Sequence, residues 1–200
     1  MDKFLNRMYD IFAFALPGMS ILASVFFFRY KDQFLFQFVI EKYNFDTTWV
    51  ALLTAFLGYI IGYLITPYTR RFLLIWFGIW LNKIFKLEKI PNYQHFISMF
   101  VRTNLSEVFV RIREKTPRTS EYIEFWDMHT NFSSNMALAM IAGIVTILHK
   151  LIVVGCISKL TLILLAALLI AFVLFIRNAL HYANWWVNDI DAALNYKAES

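Results

Sequence analysis

Four runs of apolar residues, each about as long as a bilayer-spanning helix, recur along the chain at 11–28, 49–66, 135–154 and 160–176. Together they hold 73 residues, of which only Lys150 is charged. A helix needs roughly 17 to 25 apolar residues to cross ~30 Å of hydrocarbon, so all four qualify, with 160–176 at the short end. No water reaches the bilayer core to satisfy a free amide, which makes each crossing helical, and strand-like alternation is absent from the windows. The pattern predicts an all-α fold, an integral membrane four-helix bundle forming one membrane domain over 1–200.

Between the second and third runs lies the one long excursion, 67–134. It divides into an aromatic part at 72–85, a basic amphipathic part at 96–115 and a turn at Thr116-Pro117. The ten residues 72–81 are too few to span and predict an interfacial helix, with a re-entrant segment or fifth span as the alternative. A further alternative is that the last two windows are not both full crossings. From Thr119 the chain is helical again, with Glu121 and Glu124 near the positive helix end, and that helix is expected to run unbroken into the third span. No Gly or Pro interrupts Leu160 to Ser200, so the fourth span is expected to continue as a cytoplasmic helix over 177–200. These extensions and the insertion 67–134 predict a small helical cytoplasmic subdomain.

Charge orients the bundle. With both termini cytoplasmic, 14 Lys/Arg lie inside, ten of them in 67–134, and five outside: Arg29, Lys31, Lys42, Lys150 and Lys159. The positive-inside rule therefore favours N-in and C-in. Composition agrees, since 60% of the chain is apolar and 16% charged, against roughly 45 to 50% and about 25% in soluble domains. A disulfide scaffold, a disordered tail and a free nucleic-acid-binding domain are excluded, despite a net charge of +5. The first window could be a signal-peptide core, but its 18 residues exceed the usual 7 to 15 or so, and Asp2 and Asp10 offset Lys3 and Arg7. It is taken as an uncleaved anchor. Cys156, the one cysteine, allows no internal disulfide and gives no metal or redox argument.

Several patterns could carry function. Pro17-Gly18 predicts a kink within the first span, used for packing or, as in some transporters, beside an ion site. Gly58 and Gly62, with Ala51 and Ala55 at the same four-residue interval, let helix backbones approach closely, either within one chain or between chains. Arg177, His181, Asn184, Asn188 and Asp191 recur every three or four residues and form one polar stripe on a helix. A solvated face accounts for that stripe, and stripes meeting around an oligomer axis are the sharper alternative. Arg70, Arg71, Lys83, Lys86 and Lys89 flank aromatic residues where they would pair with anionic headgroups. Arg111, Arg113, Lys115 and Arg118 lie further along and could face a partner. Phe34, Phe36, Phe38, Tyr43 and Phe45 crowd the outer loop, as interfacial aromatics or a sensor surface.

Enzyme chemistry finds no motif. The four histidines lack zinc spacing and cysteine partners, and no G-x-S-x-G, Walker loop or G-x-G-x-x-G occurs. The span cores also lack the acids on which coupled transport depends. No metal, cofactor or direct nucleic-acid contact is expected.

Tyr9, Asp10 and Phe12 ahead of the first span, Pro17-Gly18 inside it, four spans, a basic cytoplasmic middle and a helical tail together resemble the KwaA membrane subunits of the Kiwa anti-phage defence system. The likeness covers the layout of the whole chain and no diagnostic motif. It implies a homo-oligomeric sensor in the bacterial inner membrane that holds a cytosolic DNA-binding protein. The expected function is accordingly a non-catalytic oligomeric sensor or scaffold that recruits a cytosolic partner. The alternative is an oligomeric ion channel or depolarising pore lined by Ser20, Ser24, Thr54 and the Arg177 stripe.

Overall fold

Helix is the only regular structure among the described residues, 2–29, 46–90, 92–101, 105–154 and 158–195, of a computed structural model. The aromatic outer loop and Cys156 lie outside them. Helix α1 spans Asp2–Arg29 and passes Pro17 without a break. Helix α2, Thr47–Tyr68, starts where the Asp46 carboxylate accepts the Thr48 amide hydrogen at 2.8 Å, satisfying one of the free donors of a helix start.

Pro67 does not end α2, which corrects the expectation of a loop from Pro67 and a separate helix at 72–81. The chain continues without a gap through a π-helical stretch, Thr69–Gly78, into α3, Ile79–Phe85. Proline removes one backbone hydrogen bond and crowds the preceding turn. The π-helical stretch begins two residues later, and at its border the Thr69 amide is shared between the carbonyls of Ile65 and Thr66. Long π-turn runs are rare and tend to sit at functional places. Lys86 closes α3 in a left-handed conformation, its amide donating to the Asn82 carbonyl at 2.8 Å.

Short helices α4, Tyr93–Val101, and α5, Leu105–Lys115, follow. Helix α6 is Pro117–Val154, with proline at the first position, where a missing amide costs nothing. Helix α7 is Lys159–Asn195. At 1.5 Å per residue these two run for about 55 Å, nearly twice the hydrocarbon thickness.

Three helical segments, Thr48–Phe85, Arg118–Val153 and Lys159–Leu194, are long and apolar enough to cross a membrane, while α1 carries a shorter apolar stretch, Ile11–Ser24. Only 17%, 17% and 11% of their most apolar windows are buried, so greasy side chains face outward there. The core lies elsewhere. Leu74 and Ile79 join Phe96 of α4, Ile112 of α5, Ile123 of α6 and Leu180, Trp186 and Ile190 of α7 in one buried cluster. Its members come mainly from the segments flanking the apolar windows.

The long helices form an open row rather than the closed bundle expected from the pattern. Helix α2 packs on α1, α1 on α6, and α6 on α7 most extensively of all. Neither α1 nor α2 packs extensively on α7 among the described residues. A groove remains between α1 and α7, with α6 as its floor.

Candidate functional site

The α1–α2 contact is set by small residues. A Cβ on Gly18 would overlap the Gly58 carbonyl, and one on Gly62 would overlap the Phe14 carbonyl, so only glycine permits this crossing. The G-x-x-x-G pair is thus used within the chain, and Gly18 of the Pro-Gly pair is its counterpart. Ala51 is exposed and Ala55 partly so, further along the same helix.

A polar layer lies where the apolar windows end. Asn135, fully buried, accepts a hydrogen bond from the Thr69 hydroxyl at 2.7 Å and donates its amide to Thr66 at 2.8 Å. Next to it the Arg70 guanidinium pairs with Asp127 at 2.6 Å and lies 4.9 Å from the ring centres of both Phe100 and Trp186. One side chain therefore joins the π-helical stretch to α4, α6 and α7. Arg70 turns inward, away from the headgroup face proposed for it on sequence grounds.

From this layer the segment Thr69–Phe85 runs sideways. Thr69 meets α6 at Asn135, whereas Phe77 meets α7 at Phe172, ring centres 5.9 Å apart. A Cβ on Gly78 would touch Ile176 and Leu180. Phe132 and Phe175 pair at 6.2 Å, so these parts of α6 and α7 stand at the same height. Advancing from Asn135 to Ile176 is thus a step across the neighbouring helix, a typical 8 to 10 Å or so, with little change of depth. The segment is a transverse arm. Its inner face buries Leu74, Ile75, Ile79 and Asn82. Its outer face exposes Phe72, Trp76, Trp80, Ile84 and Phe85, beside exposed Arg71 and Lys83.

Beyond the arm, Asn82 orders the chain. Its amide donates to the Glu88 carbonyl and the Tyr93 hydroxyl, both at 2.8 Å, and its oxygen accepts from the Glu88 amide at 2.7 Å. Lys83, Lys86 and Lys89 line one recess of about 420 Å³ beside it. Much of the polar stripe of α7 is spent on the same chain. His181 pairs with Glu88 at 3.3 Å, Asn184 reaches the Lys89 carbonyl at 3.4 Å, and Asp191 pairs with His95 at 2.5 Å. Arg177 and Asn188 remain exposed. Hydrogen bonding from the Trp126 indole to Asp189 at 2.9 Å adds an α6–α7 tie with no warning in the sequence pattern.

On α5 and the start of α6, Arg113 pairs with Glu124, and Lys115 ends α5. Arg111 and Arg118 are exposed near exposed Val110 and Tyr122. Two recesses open in the groove between α1 and α7. The inner one, about 560 Å³, includes Phe12, Leu16, Phe132 and Tyr182. The outer one measures about 400 Å³. Among the described residues no group of three His, Cys, Asp or Glu could hold a metal ion. Compared with protein-family models, curated proteins and solved structures, the chain matches none.

Proposed function

We propose that this chain is a non-catalytic, homo-oligomeric membrane sensor that crosses the bilayer four times with both termini cytoplasmic and recruits a cytosolic protein to its helical subdomain. The observation that carries the reading is the arm Thr69–Phe85. Its aromatic outer face suits the headgroup region, where Trp and Lys/Arg are favoured, while its inner face belongs to the core of the subdomain. A change in how the arm sits in lipid must therefore move residues that the subdomain depends on. Arg70 strengthens that link by tying the arm to α4, α6 and α7 at once.

The partner surface fits the α5–α6 face, where Arg111, Arg118, Val110 and Tyr122 offer positive charge around apolar contacts to an acidic protein surface. The layout likeness to Kiwa membrane subunits supports a bacterial inner-membrane setting, a role in anti-phage defence and a partner that itself binds DNA. Mass measurement after mild extraction tests the proposal, with the chain co-expressed alongside the soluble proteins encoded next to it. A homo-oligomer that retains one of them, and releases it when Arg111 and Arg118 become Glu, is expected. A lone monomer that retains none would overturn the reading.

A further inference from the structure

Three lysines line the recess beside Asn82 at the far end of the arm. Lys83 belongs to the last turn of α3, Lys86 closes that helix and Lys89 follows it, and they share the wall with Glu88, Ile90 and Tyr93. Buried Asn82 builds this wall. Its hydrogen bonds to both backbone groups of Glu88 and to the Tyr93 hydroxyl fold the chain back, so residues on either side of the turn line one recess. Lys86 holds the left-handed turn at φ 50°, alone among the described non-glycine residues. Glycine fills such a helix end at least cost, so lysine there adds an ammonium that the turn itself does not need. Glu88 is the single acid on the wall, and its carboxylate pairs with His181 at 3.3 Å. Among the described residues no carboxylate pairs with Lys83, Lys86 or Lys89. Lys83 lies 5.6 Å from the Tyr93 ring centre, a contact that positions its ammonium without neutralising it. The Tyr93 hydroxyl accepts from Asn82, which leaves its own proton to donate. A cleft lined by one sign of charge concentrates counter-ions.

We propose that this recess binds a phosphate-bearing anion, on a lipid headgroup or free in solution, through the Lys86 and Lys89 ammonium groups, with Lys83 and the Tyr93 hydroxyl completing the donor set. Phosphate oxygens accept charge-assisted hydrogen bonds, and lysine supplies them as a point charge with no fixed plane to satisfy. The volume of about 420 Å³ falls within the roughly 300 to 1,000 Å³ of small-molecule sites, so a phosphate ester fits as well as the bare ion. Ile84 and Phe85, exposed on the outer face of the arm, sit between these lysines in the chain and offer an apolar neighbour to the acyl chains of a lipid. The site itself does not need the spans. Only the lipid source rests on the arm lying at headgroup depth.

Native mass spectrometry of the full chain in a neutral detergent tests the site with phosphatidic acid, phosphatidylcholine and free glycerol 3-phosphate as probes. Retention of one phosphatidic acid per chain is expected, preferred over phosphatidylcholine by about tenfold. Lys86→Gln with Lys89→Gln should erase that preference, and Lys86→Arg with Lys89→Arg should keep it. Both side chains are exposed, so neither pair of changes threatens the fold. Lys159→Gln with Arg177→Gln removes the same charge from exposed positions outside the recess and should leave the preference in place. Phosphatidic acid retained without glycerol 3-phosphate assigns the phosphate to a headgroup. Glycerol 3-phosphate bound as tightly as the lipid assigns it to a soluble ester, which keeps the site and removes support for a lipid-seated arm. Equal retention of the two lipids with no glycerol 3-phosphate bound overturns the proposal. An equal loss in the recess pair and the distant pair overturns it too, since net charge alone would then explain the effect.

Discussion

Asn135 and Thr69, 66 residues apart, meet in a 2.7 Å hydrogen bond at the level where two apolar windows end. The bond joins α6 to the first residue of the π-helical stretch, so it fixes where the transverse arm leaves the span. Polar contacts between membrane helices contribute about 0.6 kcal/mol on average and up to about 1.7 kcal/mol. Both threonine hydroxyls keep a fallback acceptor, the Gly62 carbonyl at 2.8 Å and the Thr66 carbonyl at 2.9 Å. Asn135→Leu should therefore cost about 1 to 2 kcal/mol in denaturant unfolding from detergent micelles. In that background Thr66→Val should add little, because the two changes remove the same contact. Full additivity would show that the pair is not coupled.

Arg70 makes an ion pair and two ring contacts with one planar group. A lysine could keep the charge but not the fork and the stacking surface. Arg70→Lys should cost about 1 to 2 kcal/mol, from the lost planar guanidinium surface and its cation–π contacts. Amide exchange should rise first in Tyr93–Val101, the helix that contributes Phe100. Unchanged exchange there would mean that α4 is held by its apolar contacts alone.

The glycine crossing gives a sharper contrast. Gly18 and Gly62 face backbone atoms, which cannot turn aside as a side chain can. Gly18→Ala or Gly62→Ala should destabilise the chain by about 3 kcal/mol, the upper end of ordinary overpacking. Ala51→Leu, on an exposed stretch of the same helix, should stay within about 0.5 kcal/mol of native. A large loss at Ala51 that depends on protein concentration would identify that stretch as a contact between copies.

The helical class and the long apolar segments were legible because hydrophobic runs and an absence of breakers are local properties. Lys115 to Pro117 likewise carried its own punctuation. The open row was not legible, since nothing in the period of α1 or α7 says which neighbour each one meets. Pro67 misled because proline usually ends a helix, whereas here the helix runs through it and takes π geometry from Thr69 to Gly78. Gly58 and Gly62 signalled close packing without naming Gly18 as the other side. The basic residues divided by context, since Arg70 was drawn inward by Asp127 and two rings, whereas Arg71 beside it stayed outside. Three of the five residues of the polar stripe of α7 found partners ~90 residues away in sequence, His181 and Asn184 on the loop after α3 and Asp191 on α4, and spacing along one helix carries no trace of that.

Depth of the arm is the remaining test, and it separates an interfacial arm from a cytosolic one. Trp76 and Trp80 are 70% and 54% exposed on the outer face, and Phe77 beside them touches Phe172 within the fourth apolar window. Spin labels on Trp76→Cys and Trp80→Cys, in a chain whose Cys156 has been replaced by Ser, report depth through collisions with oxygen in lipid and a nickel chelate in water. A label at Leu53→Cys should see oxygen alone, and one at Val110→Cys the chelate alone. The two arm positions should fall between them, at headgroup depth, where aromatic side chains concentrate. Their depth should deepen in bilayers richer in anionic lipid, because Arg71 and Lys83 each gain about 1 kcal/mol near such a surface. Arm labels that match Val110 would put this face in water and would remove the link between lipid and the subdomain core.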